Sequence, residues 1–304
     1  MSRPEIIRHS AESISENLSA KEEFVKEVLG GKQLIVVNLT FDEDVKCFRD
    51  GCRILEDNGL GKEVDDFNET IFGSKDGPQS ASDVFKVVMG RKVDIVEFNP
   101  FNNNKITDVD DAGAILFSGC PVHINLEMQK NPQRIGFTET SAFKAAKGVY
   151  DEVSELGIPL IGICYGHEVM VHQNGGEVPR LDTLVEEERT TLINSDQGII
   201  YYAPPYFHHR IAAPKKSVSE SIMTSNVNGF ADNFPTGVIH IDGDKGRYGI
   251  SMQAHPELIS IMHRIISVGM SGDPSYIDAT TLPDGHKELM GSIAAFLEDF
   301  KEER

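Results

Sequence analysis

The sequence predicts an α/β fold: a doubly wound, mostly parallel sheet with helices on both faces and an antiparallel extension. Three observations carry this. Apolar strand-like runs alternate with helix-like periodicities through residue 175, the pattern of βαβ units whose sheet is covered on both faces. Beyond residue 175 the chain turns β-rich before two closing helices, which reads as antiparallel strands added to the same sheet. The 304 residues, 39% of them hydrophobic, are enough to bury the core of one large domain.

The elements follow in order. Residues 10–29 predict amphipathic helical turns, with Ile14, Leu18, Phe24, Val25 and Val28 as an apolar stripe. QLIVVNLT (33–40) is a buried strand, and 42–58 a helix with Val45, Phe48, Cys52 and Leu55 on one face. Cys52 is then a core residue and Cys47 its neighbour. Residues 59–83, rich in Gly, Asp and Ser, lack sustained periodicity and read as a surface excursion, lid or interface. Strands are expected at 94–99, 112–119 and 159–164, and helices at 139–156 and 165–175. Further strands are expected at 189–195, 198–203, 219–225, 236–242 and 248–254, then helices at 257–269 and 285–300. The expected organisation is an N-terminal helical extension (1–30) and one domain (31–304) with an insertion near 59–83.

Composition excludes several function classes. With 29 Lys plus Arg against 48 Asp plus Glu, the formal charge is −19. Bulk electrostatics therefore oppose binding to nucleic acid or an anionic membrane. The four cysteines, Cys47, Cys52, Cys120 and Cys164, form no CxxC pair, which argues against structural zinc, a dithiol redox motif or a disulfide framework. The polar, acidic N-terminus lacks a signal-peptide core, and no run approaches the roughly 20 apolar residues of a membrane span. The expected location is cytoplasmic.

Chemistry concentrates at Gly162-Ile-Cys164-Tyr-Gly166. Gly-x-nucleophile-x-Gly at a strand-to-helix turn is the layout of a nucleophile elbow. The nucleophile must stand clear on a tightly turned backbone, and side chains two before or two after it would collide with that turn. The helix beginning at Tyr165 directs its N-terminal N–H groups and positive dipole end at the sulfur, which favours thiolate. The Tyr165 N–H is then placed to receive the oxyanion of an attacked carbonyl.

Two further segments supply what such a thiol needs. In SMQAHPEL (251–258), His255 and Glu257 are two apart across Pro256, which keeps the backbone extended. Both side chains then project to one side, so Glu257 can orient an imidazole that manages protons for the thiol. In ILFSGCP (115–121), a buried strand ends in a tight loop at the edge of the sheet where α/β folds bind ligands. A backbone N–H at Gly119 or Cys120 is a second oxyanion donor there, and Cys120 contributes backbone rather than sulfur chemistry.

Together SGCP (118–121), GICYG (162–166) and HPE (255–257) resemble the class I glutamine amidotransferase family of the triad type, in order and spacing. The resemblance runs over roughly residues 93–270, and the strand at 33–40 fits the first strand of that family's flavodoxin-like sheet. It implies that Cys164 attacks the γ-carbonyl of glutamine or another γ-glutamyl compound, that His255 protonates the leaving amine and activates water, and that Glu257 holds His255. It implies no metal and no organic cofactor, and a synthetase partner that would take up the ammonia.

Three departures from the family pattern stand out. Where the elbow commonly continues Gly-x-Gln, this chain has Gly166-His167-Glu168. Glu168 nearly matches Gln in shape but donates no hydrogen bond when ionised, so as a substrate-binding residue it repels a carboxylate or selects an amino group. Ser-Gly-Gly-Pro has become Ser-Gly-Cys-Pro. In PPYFHHRIAAP (204–214), His208 and His209 are followed by Arg210 where an acidic residue is common. Two alternatives to an amidotransferase therefore stay open: a stand-alone γ-glutamyl peptidase or hydrolase, which Glu168 favours, and a catalytically silent binding or regulatory member, against which Cys164, His255 and Glu257 argue.

Overall fold

The computed structural model describes residues 2–8, 10–11, 29–39, 43–89, 93–101, 106, 109–119, 137–185, 188–192, 201–203, 208–210, 212–225, 234–243, 246–253, 260–278 and 286–302. Its strands are β1 (Gln33–Val37), β2 (Ile95–Phe98), β3 (Ala112–Phe117), β4 (Leu160–Ile163), β5 (Arg180–Val185), β6 (Glu188–Leu192), β7 (Tyr201–Ala203), β8 (His208–Arg210), β9 (Ser219–Ser225), β10 (Phe234–Asp242) and β11 (Gly246–Met252). Its helices are α1 (Glu43–Leu55), α2 (Gly61–Phe72), α3 (Ala81–Met89), α4 (Ser141–Val153), α5 (Tyr165–Gln173), α6 (Ser260–Ser271) and α7 (His286–Glu302). Contacts gather these into two compact units: Met1–Glu27, Asp42–Asp94 and Glu257–Leu282 in one, and Val28–Phe41, Ile95–Pro256 and Pro283–Arg304 in the other.

The second unit is built on a nine-stranded sheet in the order β2-β1-β3-β4-β11-β10-β9-β6-β7. The first five are mutually parallel, and the remaining pairings are antiparallel. The parallel part has the flavodoxin-like order, with its first two strands reversed. The expected fold class holds, antiparallel extension included. The parallel strands are buried on both faces: Leu34, Ile35, Val36 and Val37 of β1, and Ile115, Leu116 and Phe117 of β3, are all at most 1% exposed. Helices α4 and α5 cover one side, where Phe143, Ala146, Val149, Val169 and Met170 meet Ile35, Val37, Ile115 and Phe117. Thr140 caps α4, its hydroxyl accepting the Phe143 N–H at 3.1 Å. A separate antiparallel pair, β5 and β8, lies beside this sheet in sequence but not in its ladder.

In the first unit, α1 crosses α6 at very close range. A Cβ on Gly51 would lie 1.9 Å from the Ile265 carbonyl oxygen, and one on Gly269 would lie 1.9 Å from that of Cys47. The expected face of α1 is confirmed, with Val45, Phe48, Cys52 and Leu55 buried. Burial also pushes the Cys52 thiol up to about 12. The reading of 59–83 as an aperiodic excursion is corrected: helix α2 occupies Gly61–Phe72, burying Val64, Phe67, Asn68 and Ile71. Their spacing is helical, but the kink at Asn58 and Gly59 (φ 83°) and the left-handed Gly73 (φ 72°) punctuate the sequence so heavily that it reads as loop. Local sequence patterns likewise do not predict strands β5 and β8 or helix α3. The stripe expected at Ile14, Leu18, Phe24, Val25 and Val28 falls outside the described residues.

Candidate active site

Strand register brings the singled-out segments to one edge. Phe117 of β3 pairs with Gly162 of β4, while Ser251 and Met252 of β11 pair with Gly162 and Ile163. The carboxyl ends of three adjacent parallel strands therefore deliver Ser118–Gly119, Cys164 and Gln253 side by side. Cys164 extends the ladder by one bond, its N–H donating to the Met252 carbonyl at 2.8 Å. On the other flank, Ser118 Oγ accepts the Leu39 N–H at 2.8 Å and donates to the Gly119 carbonyl at 3.1 Å, pinning the loop that follows β3.

At Cys164 the backbone turns sharply, with φ 50° and ψ −103°. It is the one non-glycine residue with positive φ among the described residues, a conformation that costs about 1–3 kcal/mol. The next residue begins α5, and the Glu168 N–H closes the first turn on the Cys164 carbonyl at 3.0 Å. The flanking glycines are sterically required. A Cβ on Gly166 would lie 2.2 Å from the Phe117 carbonyl oxygen, and one on Gly162 would lie 2.7 Å from Met170 Sδ and 2.9 Å from the Gly166 backbone. Cys164 thus sits on a sharp turn between two glycines that admit no Cβ. Tyr165, as first residue of α5, directs its N–H out of the helix end, and its phenol oxygen lies 3.0 Å from Thr140 Oγ1.

The side chain of Cys164 is enclosed, the residue being 6% exposed. The Gln253 carboxamide reaches it, with Nε2 3.8 Å from Sγ; the same nitrogen lies 3.5 Å from Glu168 Oε1. Glu168 is buried at 4% exposure in the first turn of α5, where the helix dipole favours a negative charge. The sequence reading did not single out Gln253; only its position two residues before His255 points to it.

A buried polar chain runs behind the elbow. Asn174 Nδ2 donates to the Met170 carbonyl at 2.7 Å, which fixes its amide orientation. The same group faces His240 Nδ1 at 3.2 Å, so Nδ1 accepts and the His240 proton sits on Nε2. Nε2 then donates to Ser251 Oγ at 2.6 Å, and the Ser251 hydroxyl donates to His167 Nδ1 at 2.7 Å. At the other end, the Tyr248 hydroxyl donates to Asn174 Oδ1 and lies 3.3 Å from that of Tyr150. Burial depresses the His240 pKa to about 3, keeping the ring neutral, and raises that of Tyr248. The chain ties α5, which begins next to Cys164, to the strand that leads toward His255. Its members lie far apart in sequence, so no local pattern announces it.

Cys120, His255 and Glu257 lie outside the described residues, as do the side chains of His208, His209 and Arg210. Among the described residues no group of three or more His, Cys, Asp or Glu is arranged to hold a metal ion, and no helix is long and apolar enough to cross a membrane.

Residues 87–265, more than half of the chain, match the family described as Glutamine amidotransferase class-I. The chain belongs to that family. Among curated relatives of this chain, "GMP synthase [glutamine-hydrolyzing]" of Limosilactobacillus reuteri is 26% identical over 155 residues, covering 51% of this chain and 26% of that protein. The protein of the same name from Aquifex aeolicus is 32% identical over 133 residues, covering 43% and 25%. The chain thus spans about a quarter of the length of these relatives. A solved glutamine amidotransferase from Thermotoga maritima aligns over 90% of this chain and 97% of that one, at 12% identity and TM-score 0.47.

Proposed function

We propose that this amidotransferase hydrolyses the γ-amide of glutamine through a thioester on Cys164 and passes the ammonia to a partner synthetase. The observation that carries this reading is the strained Cys164 turn between two glycines that tolerate no side chain. In the proposed first step, Cys164 Sγ attacks the carboxamide carbon. The oxyanion is received by the Tyr165 N–H and by that of Gly119 or Cys120. His255 takes the thiol proton as Sγ attacks and passes it to the nitrogen as the C–N bond breaks, so that ammonia leaves. Water, deprotonated by His255, then attacks the thioester; the C–S bond breaks, the proton on His255 returns to the sulfur, and glutamate is released. Glu257 orients His255 throughout. The names of the relatives, which couple glutamine hydrolysis to GMP synthesis, support a synthetase as the ammonia acceptor, with the residues near 59–83 and the N-terminal segment as candidate docking surfaces.

A second reading, a γ-glutamyl peptidase or hydrolase, is favoured by one observation: the buried Glu168 carboxylate where a glutamine is common in the family. The same Cys164, His255 and Glu257 would serve it. Incubation with glutamine and with a panel of γ-glutamyl peptides, read by product release and by intact mass, separates the two. The proposal expects a glutamyl adduct on Cys164 that accumulates in His255→Ala and is absent in Cys164→Ala. Turnover of peptides with glutamine untouched transfers the function to the second reading. No adduct from any γ-glutamyl compound refutes both.

A further inference from the structure

We infer that the Gln253 carboxamide is a catalytic bridge between the nucleophile and Glu168: its two N–H donors serve the Cys164 sulfur and the Glu168 carboxylate at once, which makes an acid four residues past the nucleophile compatible with a reactive thiol.

The geometry carries this. Nε2 of Gln253 lies 3.8 Å from Cys164 Sγ and 3.5 Å from Glu168 Oε1, and Gln253 itself is 1% exposed. An –NH2 group has two hydrogens diverging by about 120°, so one group can address two acceptors. All three side chains are buried, where an ionised Glu168 and a developing thiolate that share the Gln253 amide would repel each other with little water to screen them. A neutral amide that donates to both anions offsets that repulsion without adding a charge. Its placement is enforced: Cys164 N–H to Met252 carbonyl and the β4–β11 register hold residue 253 beside residue 164. The Ser251 hydroxyl, bonded to His167 and His240, holds the strand one step further back. Among the described residues, the titratable groups on the elements beside the sulfur are Tyr165, His167, Glu168 and His172 of α5 and Arg247 and Tyr248 of β11; β3 and β4 carry none. Gln253 is the one with permanent donors and no titration, so its contribution is separable from theirs by substitution.

The inference rests on Cys164 being the thiol nucleophile of the proposed reaction, and not on which amide it takes. The test therefore uses no substrate. The rate of Cys164 alkylation by iodoacetamide, a small neutral reagent, is followed on the full chain from pH 5 to 10 by peptide mass spectrometry, with Cys52 as internal reference. Gln253→Met removes both donors, and the alkylation midpoint is expected to rise by about one pH unit. Gln253→Glu, nearly isosteric, sets a second carboxylate beside Glu168 against the sulfur and is expected to raise it further. Glu168→Gln lowers the midpoint, and lowers it more in the Gln253→Met background, where the Gln253 donors no longer offset the acid. Wild-type midpoints in both Gln253 variants overturn the bridge, as does a Glu168→Gln shift of equal size in the two backgrounds. If Gln253→Met does not fold, as read by a thermal melt, Gln253→Glu alone decides by the same criterion. A Cys164 that labels no faster than Cys52 overturns the nucleophile and the bridge together; a fast Cys164 that ignores Gln253 overturns only the bridge.

Discussion

Replacing Gly166 with alanine tests the elbow by the smallest possible change. The added Cβ would sit 2.2 Å from the Phe117 carbonyl oxygen and 2.8 Å from both Phe117 C and Cβ, where real Cβ contacts essentially never fall below 3.0 Å. The offending atoms are largely backbone of β3, so no side-chain rotation relieves them. Either α5 or the end of β3 must retreat by about 0.8 Å or more. Overpacking of this kind costs about 1–3 kcal/mol, a drop of roughly 2–10 °C in melting temperature. The loss of activity is larger than the loss of stability. The retreat separates the start of α5, with Cys164 and the Tyr165 N–H, from the Gly119 end of β3. A misplacement near 1 Å in such a constellation costs about 100-fold. The assay is kcat/KM for glutamate release together with a thermal melt, beside Gly148→Ala as control. Nothing lies within 4 Å of a Cβ on Gly148, and its place inside α4 makes alanine neutral or stabilising by up to about 1 kcal/mol. A Gly166→Ala protein with wild-type melting temperature and kcat/KM would mean that the contact is relieved without cost and that the turn does not require its glycine.

Three further outcomes are expected. Cys164 alkylates with iodoacetamide at pH 8 at least tenfold faster than Cys52, whose thiol burial pushes up to about 12, leaving about one molecule in 10⁴ as thiolate; equal rates in peptide mapping would count against the elbow. His240, held near a pKa of about 3 when folded and near 6.5 when unfolded, binds its proton first in the unfolded chain. Its contribution to stability is therefore complete above pH 6.5 and is lost toward pH 3, at up to about 1.4 kcal/mol per pH unit, and urea titrations should show a shallower acid decline in His240→Gln. Gly51→Ala drives a Cβ to 1.9 Å from the Ile265 carbonyl oxygen and should destabilise the α1–α6 crossing by about 2 kcal/mol or more; a wild-type urea midpoint would mean that the helices separate freely.

What the sequence made legible was what it encodes locally. The strands of the parallel half are unbroken apolar runs because both their faces are buried, and such runs announce themselves. Gly162, Cys164 and Gly166 were readable for a related reason: the turn forbids side chains at fixed offsets, so the spacing carries the geometry. Helix α2 was missed although Val64, Phe67 and Ile71 keep helical spacing, because Asn68 occupies the same buried face and glycines bracket the segment. Its burial is a tertiary fact that outweighs the local punctuation. The chain from Tyr150 through His240 to His167 is tertiary throughout: His167 and Ser251 are 84 residues apart, and each alone reads as an ordinary polar residue. Gln253 lies two residues before His255 in a segment whose histidine and glutamate carry the pattern, and its distances to Cys164 and Glu168 are what set it apart.

The left-handed turn at residue 164 also limits which nucleophiles evolution can install there. At φ 50° and ψ −103° a second substituent on Cβ would crowd the flanking carbonyls, so threonine is closed to this position on backbone grounds alone. Serine fits the same space, yet its hydroxyl ionises far less readily than a thiol and would need more from the neighbouring imidazole. Descent from a cysteine at this corner therefore leaves one exchange that keeps the backbone, and that exchange surrenders the softer, more easily ionised atom.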